Sequence, residues 1–248
     1  MGCVEKRRIL HPCLYKVSLV LGSVSRNNAG LSADRIITEA LRIIDGQGLR
    51  RLTMRRLGDA LEVEAMAIYH HFPLGKEALF EAIVDFVTDV SRTGGEETGD
   101  EAAAQDDPAD DPEDTGPRED TRPWDERLRA WAHAYRDRLL RHSGALPLII
   151  NRRPDTDGAL RTLDLHYAAF TEAGLSGPDV VRAGAALDSY VTGAVIHQVR
   201  AAGLPGQHPA ALNGRYPHVA ALVGVELDPD QGFDDGLRTL LSALTRNR

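Results

Sequence analysis

The chain has 248 residues, a hydrophobic fraction of 42% and a formal net charge of -8 at pH 7. This length allows one large domain or two of ordinary size, with enough apolar residues for a buried core. The two cysteines, Cys3 and Cys13, exclude a disulfide framework and a CxxC metal pattern, and no run reaches the roughly 18 apolar residues that span a bilayer. Abundant Ala, Leu and Arg with only 5% aromatic residues favour helices over strands.

Residues 1–30 combine a basic run, Lys6 to Arg8, with a short apolar patch that resembles a weak signal peptide. The patch is short, begins after His11 and Pro12, and has no good small-residue cleavage site. We therefore predict a disordered N-terminal extension and a cytoplasmic protein.

Residues 31–93 carry the periodicity of four helices, two of them short. The first is predicted in LSADRIITEALRIIDGQG, where Ser32 is placed to cap the start and Gly46 and Gly48 to stop the helix. The fourth is predicted from Lys76 to Val90, with apolar side chains on its inward face.

Between these lie two short predicted helices. Thr53 is placed to cap the first, which covers 54–61, and a three-residue turn, Glu62 to Glu64, leads to the second, which covers 65–71. Four helices in this order outline a helix-turn-helix domain.

The second of these short helices has two distinct faces. Ile68 and Phe72 are predicted to point inward, and the outward face holds Ala65, Met66, Tyr69 and His70. A helix that enters the major groove needs a small residue at its leading end, followed at i+3 and i+4 by side chains that reach base edges and phosphates. With Arg55 and Arg56 nearby, this face predicts DNA contacts. The alternative is an ordinary solvated helix.

Residues 94–122 are predicted to form an acidic disordered linker. Apart from prolines, 94–121 has no apolar residue larger than Ala, so it cannot offset its own ordering entropy. Residues 95–121 contain 12 acidic residues and one arginine, which leaves a net charge of +3 for the rest of the chain. The acidity of the whole chain therefore does not exclude DNA binding.

Residues 123–248 are again helical in pattern throughout. Two long helices, predicted from Gly177 to about Ala202 and from Gln231 to Arg246, each carry an apolar stripe. In the first of them, Gly184 lets a neighbouring helix approach closely. Such stripes suit helix packing either inside one chain or between two chains.

The stretch LTMRRLGDALEVEAMAIYHHF, residues 52–72, followed by KEALFEAIVDFV resembles the helix-turn-helix and the next helix of the TetR family of bacterial transcriptional repressors. The cap, turn, aromatic-His pair and following Lys occur in the order of that family. The resemblance implies that phosphates and bases are contacted by Thr53, Arg55, Ala65, Met66, Tyr69, His70 and Lys76, beside which Arg56 is also a candidate.

Two positions depart from the family pattern. Glu62 stands where the turn usually has Gly, and a left-handed conformation there costs a non-glycine residue on the order of 1 kcal/mol. The connection HFPLGKEAL has one residue more than usual, which affects where Lys76 lies relative to a phosphate.

Residues 124–244 resemble, more loosely, the effector domain of the tetracycline-repressor type, through WDERLRAWAHAYRDRLLRH, RRP, AGLS and FDDGLRTLLSAL. The resemblance implies that the two long helices pair with their copies in a homodimer, and that the domain holds a small-molecule cavity. The candidate lining residues are the larger polar-aromatic side chains on apolar faces, Trp131, Tyr135, His166, Phe170 and Tyr190. The alternative for these residues is an ordinary aromatic core.

The same resemblance speaks against magnesium-tetracycline as the effector. Ile149 stands where the metal-coordinating His of that family would be, and Trp131 stands where an Asn would be. An isoleucine offers Mg²⁺ no ligand. We expect a more apolar, planar or aromatic effector that contacts Tyr135, His166 and Phe170.

The sequence thus predicts an all-α protein with an N-terminal helix-turn-helix DNA-binding domain at 31–93 and a C-terminal effector-binding and dimerisation domain at 123–248. Its expected partners are double-stranded operator DNA, a second copy and a small-molecule effector, with no membrane, metal or cofactor. The sequence contains no Gly-rich phosphate loop, GxSxG or HExxH motif, so an enzyme has little support. The alternative function is an adaptor whose acidic linker binds a basic partner, although such linkers are more often spacers.

Overall fold

The structure is a computed structural model that describes residues 30–90, 120–152, 156–203, 216–222 and 224–246. In these ranges the regular elements are helices and no strand occurs, which confirms the predicted all-α class. The predicted N-terminal extension and acidic linker lie almost entirely outside the described residues. None of the helices in these ranges has the length and apolar character needed to cross a bilayer.

Over residues 30–90 the chain forms four α-helices, α1 (Ala33–Gln47), α2 (Met54–Leu61), α3 (Ala65–His71) and α4 (Lys76–Thr88). The Ser32 hydroxyl accepts a hydrogen bond from the Arg35 amide at 3.1 Å, as expected for the cap of α1. Gly48, with φ of 86°, ends this helix, whereas Gly46 lies inside it. The buried face of α1 comprises Ile36, Ile37, Ala40, Leu41, Ile43 and Ile44.

Helix α4 ends at Thr88, two residues earlier than predicted. Arg138 Nη1 donates hydrogen bonds to the carbonyl oxygens of Phe86 at 2.9 Å and Asp89 at 2.6 Å. If the helix continued, the Phe86 oxygen would accept from the amide of residue 90. The buried arginine therefore replaces the next helical hydrogen bond.

In the C-terminal part, the described residues form six α-helices, α5 (Trp124–Arg141), α6 (Leu146–Asn151), α7 (Asp157–Glu172), α8 (Pro178–Gly203), α9 (Pro217–Ala221) and α10 (Pro229–Arg246). The long helices begin or end within two residues of their predicted bounds. Helix α8 packs against α5, α7 and α10. Gly184 allows this packing, because a Cβ there would lie 3.2 Å from a ring carbon of Tyr167 on α7.

The apolar stripes of the two long helices are buried within one chain. They consist of Val180, Ala183, Leu187, Val191 and Val195 on α8 and of Phe233, Leu237 and Leu241 on α10. Because these side chains already have partners inside the chain, the stripes alone do not indicate a second copy.

From Ser32 onward the chain forms one compact unit, in which the N-terminal helices contact the C-terminal helices directly. At the end of α1, the Asp45 carboxylate lies 2.9 Å from His142 Nδ1 and accepts a hydrogen bond from the Gly144 amide at 3.2 Å. A Cβ on Gly144 would lie only 2.7 Å from the Ile44 carbonyl oxygen. Glycine is therefore required for the observed approach of the chain to α1.

Candidate DNA interface and effector cavity

Helices α2 and α3 are held at a fixed angle by a tight turn. The Thr53 hydroxyl accepts a hydrogen bond from the Arg56 amide at 3.1 Å, which caps α2. Glu62 ends α2 in the left-handed conformation, with φ of 58°, as its turn position predicted. A Cβ on Gly58 would lie 2.8 Å from the Val63 carbonyl oxygen, so this glycine allows the turn to fold back onto α2.

The two faces of α3 are those that the sequence predicted. Ile68 is fully buried and Phe72 is buried, so they fix α3 on the core. Met66 is 63% exposed and Tyr69 is 38% exposed, and His70 is exposed beside them. Large side chains held in solvent on one face of a short, rigidly packed helix are available for base edges in a groove.

The sequence interpretation missed two residues of the candidate DNA interface. Arg50 and Arg51, in a 3₁₀ turn before α2, line a shallow surface depression together with Thr53, Arg55 and Arg56. Four arginines around the start of α2 suit phosphate binding. The repeated Arg-Arg pairs in GLRRLTMRR were the available signal.

Lys76 is the first residue of α4, and its ammonium lies 5.0 Å from the centre of the Phe80 ring. The preceding Gly75 has φ of 67°, and a Cβ there would lie 3.1 Å from a ring carbon of Tyr69. The longer connection before α4 therefore brings the chain close to the exposed face of α3.

A cavity of about 540 Å³ lies between α5, α7 and α8 and extends to α4 and α6. Its wall is mainly apolar and includes Ile149, Ile150, Leu163, Val181, Ala185 and Ile196. Such a volume and lining suit a small organic molecule. No group of three side chains that could hold a metal ion occurs in the described ranges.

Three of the five predicted effector residues meet at this cavity: Trp131, Tyr135 and His166. The Trp131 ring lies edge to face with His166, with 4.1 Å between ring centroids, and 5.0 Å from the Tyr135 ring. Burial lowers the pKa of His166 to about 4, so its imidazole is neutral at neutral pH. Burial raises the pKa of Tyr135, and the nearby Asp188 carboxylate raises it further. A hydrogen bond with Thr192 opposes this shift without cancelling it.

Phe170 and Tyr190, the other two predicted effector residues, do not line the cavity. Phe170 is fully buried in the core of the domain. The Tyr190 hydroxyl donates a hydrogen bond to the Phe233 carbonyl at 2.7 Å, and the two rings are stacked with centroids 5.5 Å apart. Tyr190 therefore joins α8 to α10, and its place on an apolar face reflects helix packing.

The cavity has polar lining residues that the sequence interpretation did not select. Asp188 keeps contact with solvent, but partial desolvation by the surrounding protein raises the pKa of its carboxyl. Arg152 pairs with Glu77 on α4, and its guanidinium carbon lies 5.3 Å from the centre of the Phe80 ring. Thr88, the last residue of α4, also lines the cavity. The cavity thus reaches a helix of the N-terminal part.

A second set of contacts joins the end of α4 to the C-terminal helices. Arg138 and Asp89 are both buried, at 4% and 1% exposure, and Arg161 on α7 forms an ion pair of 2.9 Å with the Asp89 carboxylate. Thr156, the cap of α7, donates a hydrogen bond to Asp85 on α4. The cavity walls and α4 are therefore parts of one packed arrangement.

Two family models match this chain. Residues 36–83 match the bacterial regulatory proteins of the tetR family, and residues 116–247 match the tetracyclin repressor-like C-terminal domain. The chain belongs to the tetR family of bacterial regulatory proteins. The match confirms the family inferred from the helix-turn-helix stretch, and it identifies the chain as a transcriptional regulator.

Similar proteins align with most of this chain. An HTH-type transcriptional regulator of Saccharopolyspora erythraea is 28% identical over 229 residues, which cover 89% of this chain and 87% of the relative. The HTH-type transcriptional repressor DrrR1 of Streptomyces coeruleorubidus is 27% identical over 231 residues, or 86% of this chain and 77% of that one. The solved structure of a possible TetR family transcriptional regulator from Streptomyces coelicolor A3(2) is 28% identical, with a TM-score of 0.63, and covers 88% of this chain and 100% of that chain.

Proposed function

We propose that this tetR-family regulator is a homodimeric repressor that binds a palindromic operator and is released from it by a small-molecule effector. The observation that carries the proposal is that the cavity reaches α4, which joins the candidate recognition helix to the effector domain. Family membership and the similarity to a named repressor support the same function.

The DNA-bound form places α3 of each copy in the major groove. Met66, Tyr69 and His70 then face base edges, while Thr53 and the arginines near the start of α2 contact phosphates. A dimer whose recognition helices are about 34 Å apart fits successive major grooves of a palindromic site.

Recognition of the whole palindrome needs a second copy, because one α3 helix covers only one half-site. Resemblance to the family supports pairing through α8 and α10. Their apolar stripes are occupied inside the chain, so the pairing uses other positions of these helices, where residues such as Gly193 and Gly232 leave open space around the backbone.

Release follows from differential binding of the effector to two arrangements of α4. A ligand that fits the cavity better when α4 is displaced shifts the population toward that arrangement. Linkage then requires that the ligand lower the affinity for DNA by the same factor by which DNA lowers the affinity for the ligand. The contacts available for this coupling are Thr88 and Arg152 at the cavity wall and Arg138 and Asp89 at the end of α4.

The test is selection of an operator from random double-stranded DNA with the purified full-length protein. We expect a palindromic sequence with half-sites about one helical turn apart, bound by two chains. Enrichment of no sequence, or of a single half-site bound by one chain, would contradict the proposal. A matched selection with the variant Arg50→Gln, Arg51→Gln, Arg55→Gln and Arg56→Gln should give weaker binding at low salt and a shallower salt dependence, without a new sequence preference.

A further inference from the structure

Two ring nitrogens at the cavity wall have no hydrogen-bond partner among the described residues: Trp131 Nε1 and His166 Nε2. Both residues line the cavity, and their exposed fractions are only 5% and 2%. The two ring centroids are 4.1 Å apart, so the unpaired nitrogens belong to neighbouring side chains of the cavity lining. Buried polar groups in native proteins are nearly always paired, and an unpaired one is strongly unfavourable.

A third polar side chain of the cavity wall, Tyr135, has a partner within the protein. The Tyr135 hydroxyl is hydrogen-bonded with Thr192. An indole nitrogen can only donate, so the missing partner of Trp131 must be an acceptor. The neutral imidazole of His166 offers either a donor or an acceptor at Nε2, depending on its tautomer. The cavity wall therefore offers at least one hydrogen-bond donor, Trp131 Nε1, that needs an acceptor from outside the protein.

Among the described residues, the cavity is lined by one cationic side chain, Arg152, which is already paired, and by one acidic side chain, Asp188, which is not. Arg152 is paired with Glu77 and lies over the Phe80 ring. No ion pair joins Asp188 to a cation in the described part of the chain; the residue keeps contact with solvent, and partial desolvation raises the pKa of its carboxyl. An anionic ligand would meet an uncompensated carboxylate while the nearby guanidinium is already occupied.

We propose that the cavity takes an aromatic molecule that carries a carbonyl oxygen and no negative charge. The oxygen accepts a hydrogen bond from Trp131 Nε1 and lies against the His166 ring, while the aromatic body packs on Ile149, Leu163 and Ile196. This inference rests on the proposed function, because it names the chemical class of the effector. It goes further because it assigns a carbonyl oxygen of the ligand as the partner of Trp131 and excludes negatively charged ligands.

The test uses three probes of one shape: fluorene, 9-fluorenone and 9-fluorenone-2-carboxylate. Each is titrated into the full-length protein without DNA, and binding is followed by calorimetry. We expect the ketone to bind about three- to tenfold more tightly than the hydrocarbon, the range that one hydrogen bond gives. The carboxylate is expected to bind at least threefold more weakly than the ketone. Equal affinities, no saturable binding of the ketone, or tightest binding of the carboxylate would overturn the proposal.

Variants assign the preferences to residues. Trp131→Phe should remove the advantage of the ketone over the hydrocarbon, whereas Trp124→Phe, at the other tryptophan and outside the cavity lining, should keep it. If Trp131→Phe does not fold, as judged by circular dichroism, His166→Phe takes its place and should reduce the same advantage. Asp188→Asn should raise the affinity for the carboxylate without changing the ketone-to-hydrocarbon ratio. A wild-type ratio in the folded Trp131 or His166 variant contradicts the assignment.

This experiment separates the ligand class from the proposed function. Binding is measured without an operator, so a protein that selects no DNA sequence can still show the ketone preference. Conversely, a protein that selects an operator but prefers the carboxylate remains a repressor candidate while the assigned ligand class fails.

Discussion

The guanidinium of Arg138 on α5 and the main chain of Asp89 after α4 are joined by a hydrogen bond of 2.6 Å between Arg138 Nη1 and the Asp89 carbonyl oxygen. The same nitrogen lies 2.9 Å from the Phe86 carbonyl oxygen, and the guanidinium carbon lies 5.6 Å from the centre of the Phe86 ring. A single buried side chain therefore fixes where α4 ends and holds that end against the effector domain.

Replacing Arg138 with Met should lower the free energy of unfolding by about 2–3 kcal/mol, because two buried carbonyl oxygens lose a charged donor. Denaturant unfolding followed by circular dichroism measures the change. Arg129→Met is the matched control on the same helix, since Arg129 is partly exposed and its ion pair with Asp125 is long, at 3.7 Å. We expect that control to lose less than about 1 kcal/mol. Equal losses would mean that the Arg138 contacts do not stabilise the junction.

Glu62→Gly should stabilise the protein by about 1 kcal/mol. Glu62 has φ of 58°, a conformation that glycine adopts without the steric cost of a Cβ. Glu64→Gly removes the same charge two residues away, at a position with φ of -66° where glycine relieves no strain. Thermal unfolding of the two variants separates the backbone effect from the charge effect. If both variants gain equally, relief of left-handed strain is not the cause.

The double variant Tyr69→Ala and His70→Ala should lose at least a factor of ten in its preference for a selected operator over random DNA, because each good base contact is worth about 1–3 kcal/mol. Its far-UV circular dichroism should stay unchanged, since both side chains are exposed. The matched control removes another exposed Tyr and His, Tyr216 and His218 near α9, and should keep the preference. An unchanged preference in the first variant would show that α3 does not read the bases.

Stability should fall as the pH is lowered from about 6.5 to about 4. Burial lowers the pKa of His166 to about 4, while the unfolded chain has a value near 6.5. Between these values the unfolded state binds more protons, so unfolding becomes more favourable by at most about 1.4 kcal/mol per pH unit. Above pH 6.5 this contribution is constant.

The measurement for this prediction is the unfolding free energy at several pH values for the wild type and for His166→Phe. The variant should have a shallower slope between pH 6.5 and 4, whereas His218→Phe, at an exposed position, should keep the wild-type slope. Parallel curves for the wild type and His166→Phe would mean that the buried imidazole does not contribute to acid destabilisation.

Tetracycline with Mg²⁺ should not release the protein from its operator at micromolar concentration. Ile149 lines the cavity at the position where the resemblance to tetracycline repressors implies a metal-coordinating His. The Trp131 ring occupies part of the wall where a smaller polar residue would be expected. Titration of the protein–operator complex with the drug decides the matter, and release at that concentration would contradict the prediction.

The local signals that the sequence carries were sufficient for the helices and for the exposed face of α3. Capping by Ser32 and Thr53, the left-handed turn at Glu62 and the inward position of Ile68 each depend on residues within one or two turns of the chain. Such features are set by short-range sterics and hydrogen bonds, so a single sequence predicts them well.

The cavity was only partly predictable because its walls come from distant segments. Trp131, Tyr135 and His166 were selected as aromatic groups on apolar faces, but the same criterion also selected Tyr190, which packs on Phe233. Periodicity tells which face of a helix is inward without telling whether that face meets a cavity or another helix. The contact of His142 with Asp45, which are 97 residues apart in the sequence, is likewise tertiary and has no local signal.

Helix α4 is held at its start by Arg152 through Glu77 and at its end by Arg138 through Phe86 and Asp89. Residues 77 and 89 are about 18 Å apart along a helix axis, so a displacement of about 1 Å at one end, with the other fixed, turns the helix by about 3°. The extent of that turn depends on the bulk of a ligand beside Arg152 rather than on its total binding energy. Affinity and efficacy should therefore vary independently among ligands, and a tight binder that leaves Arg152 in place would act as an antagonist.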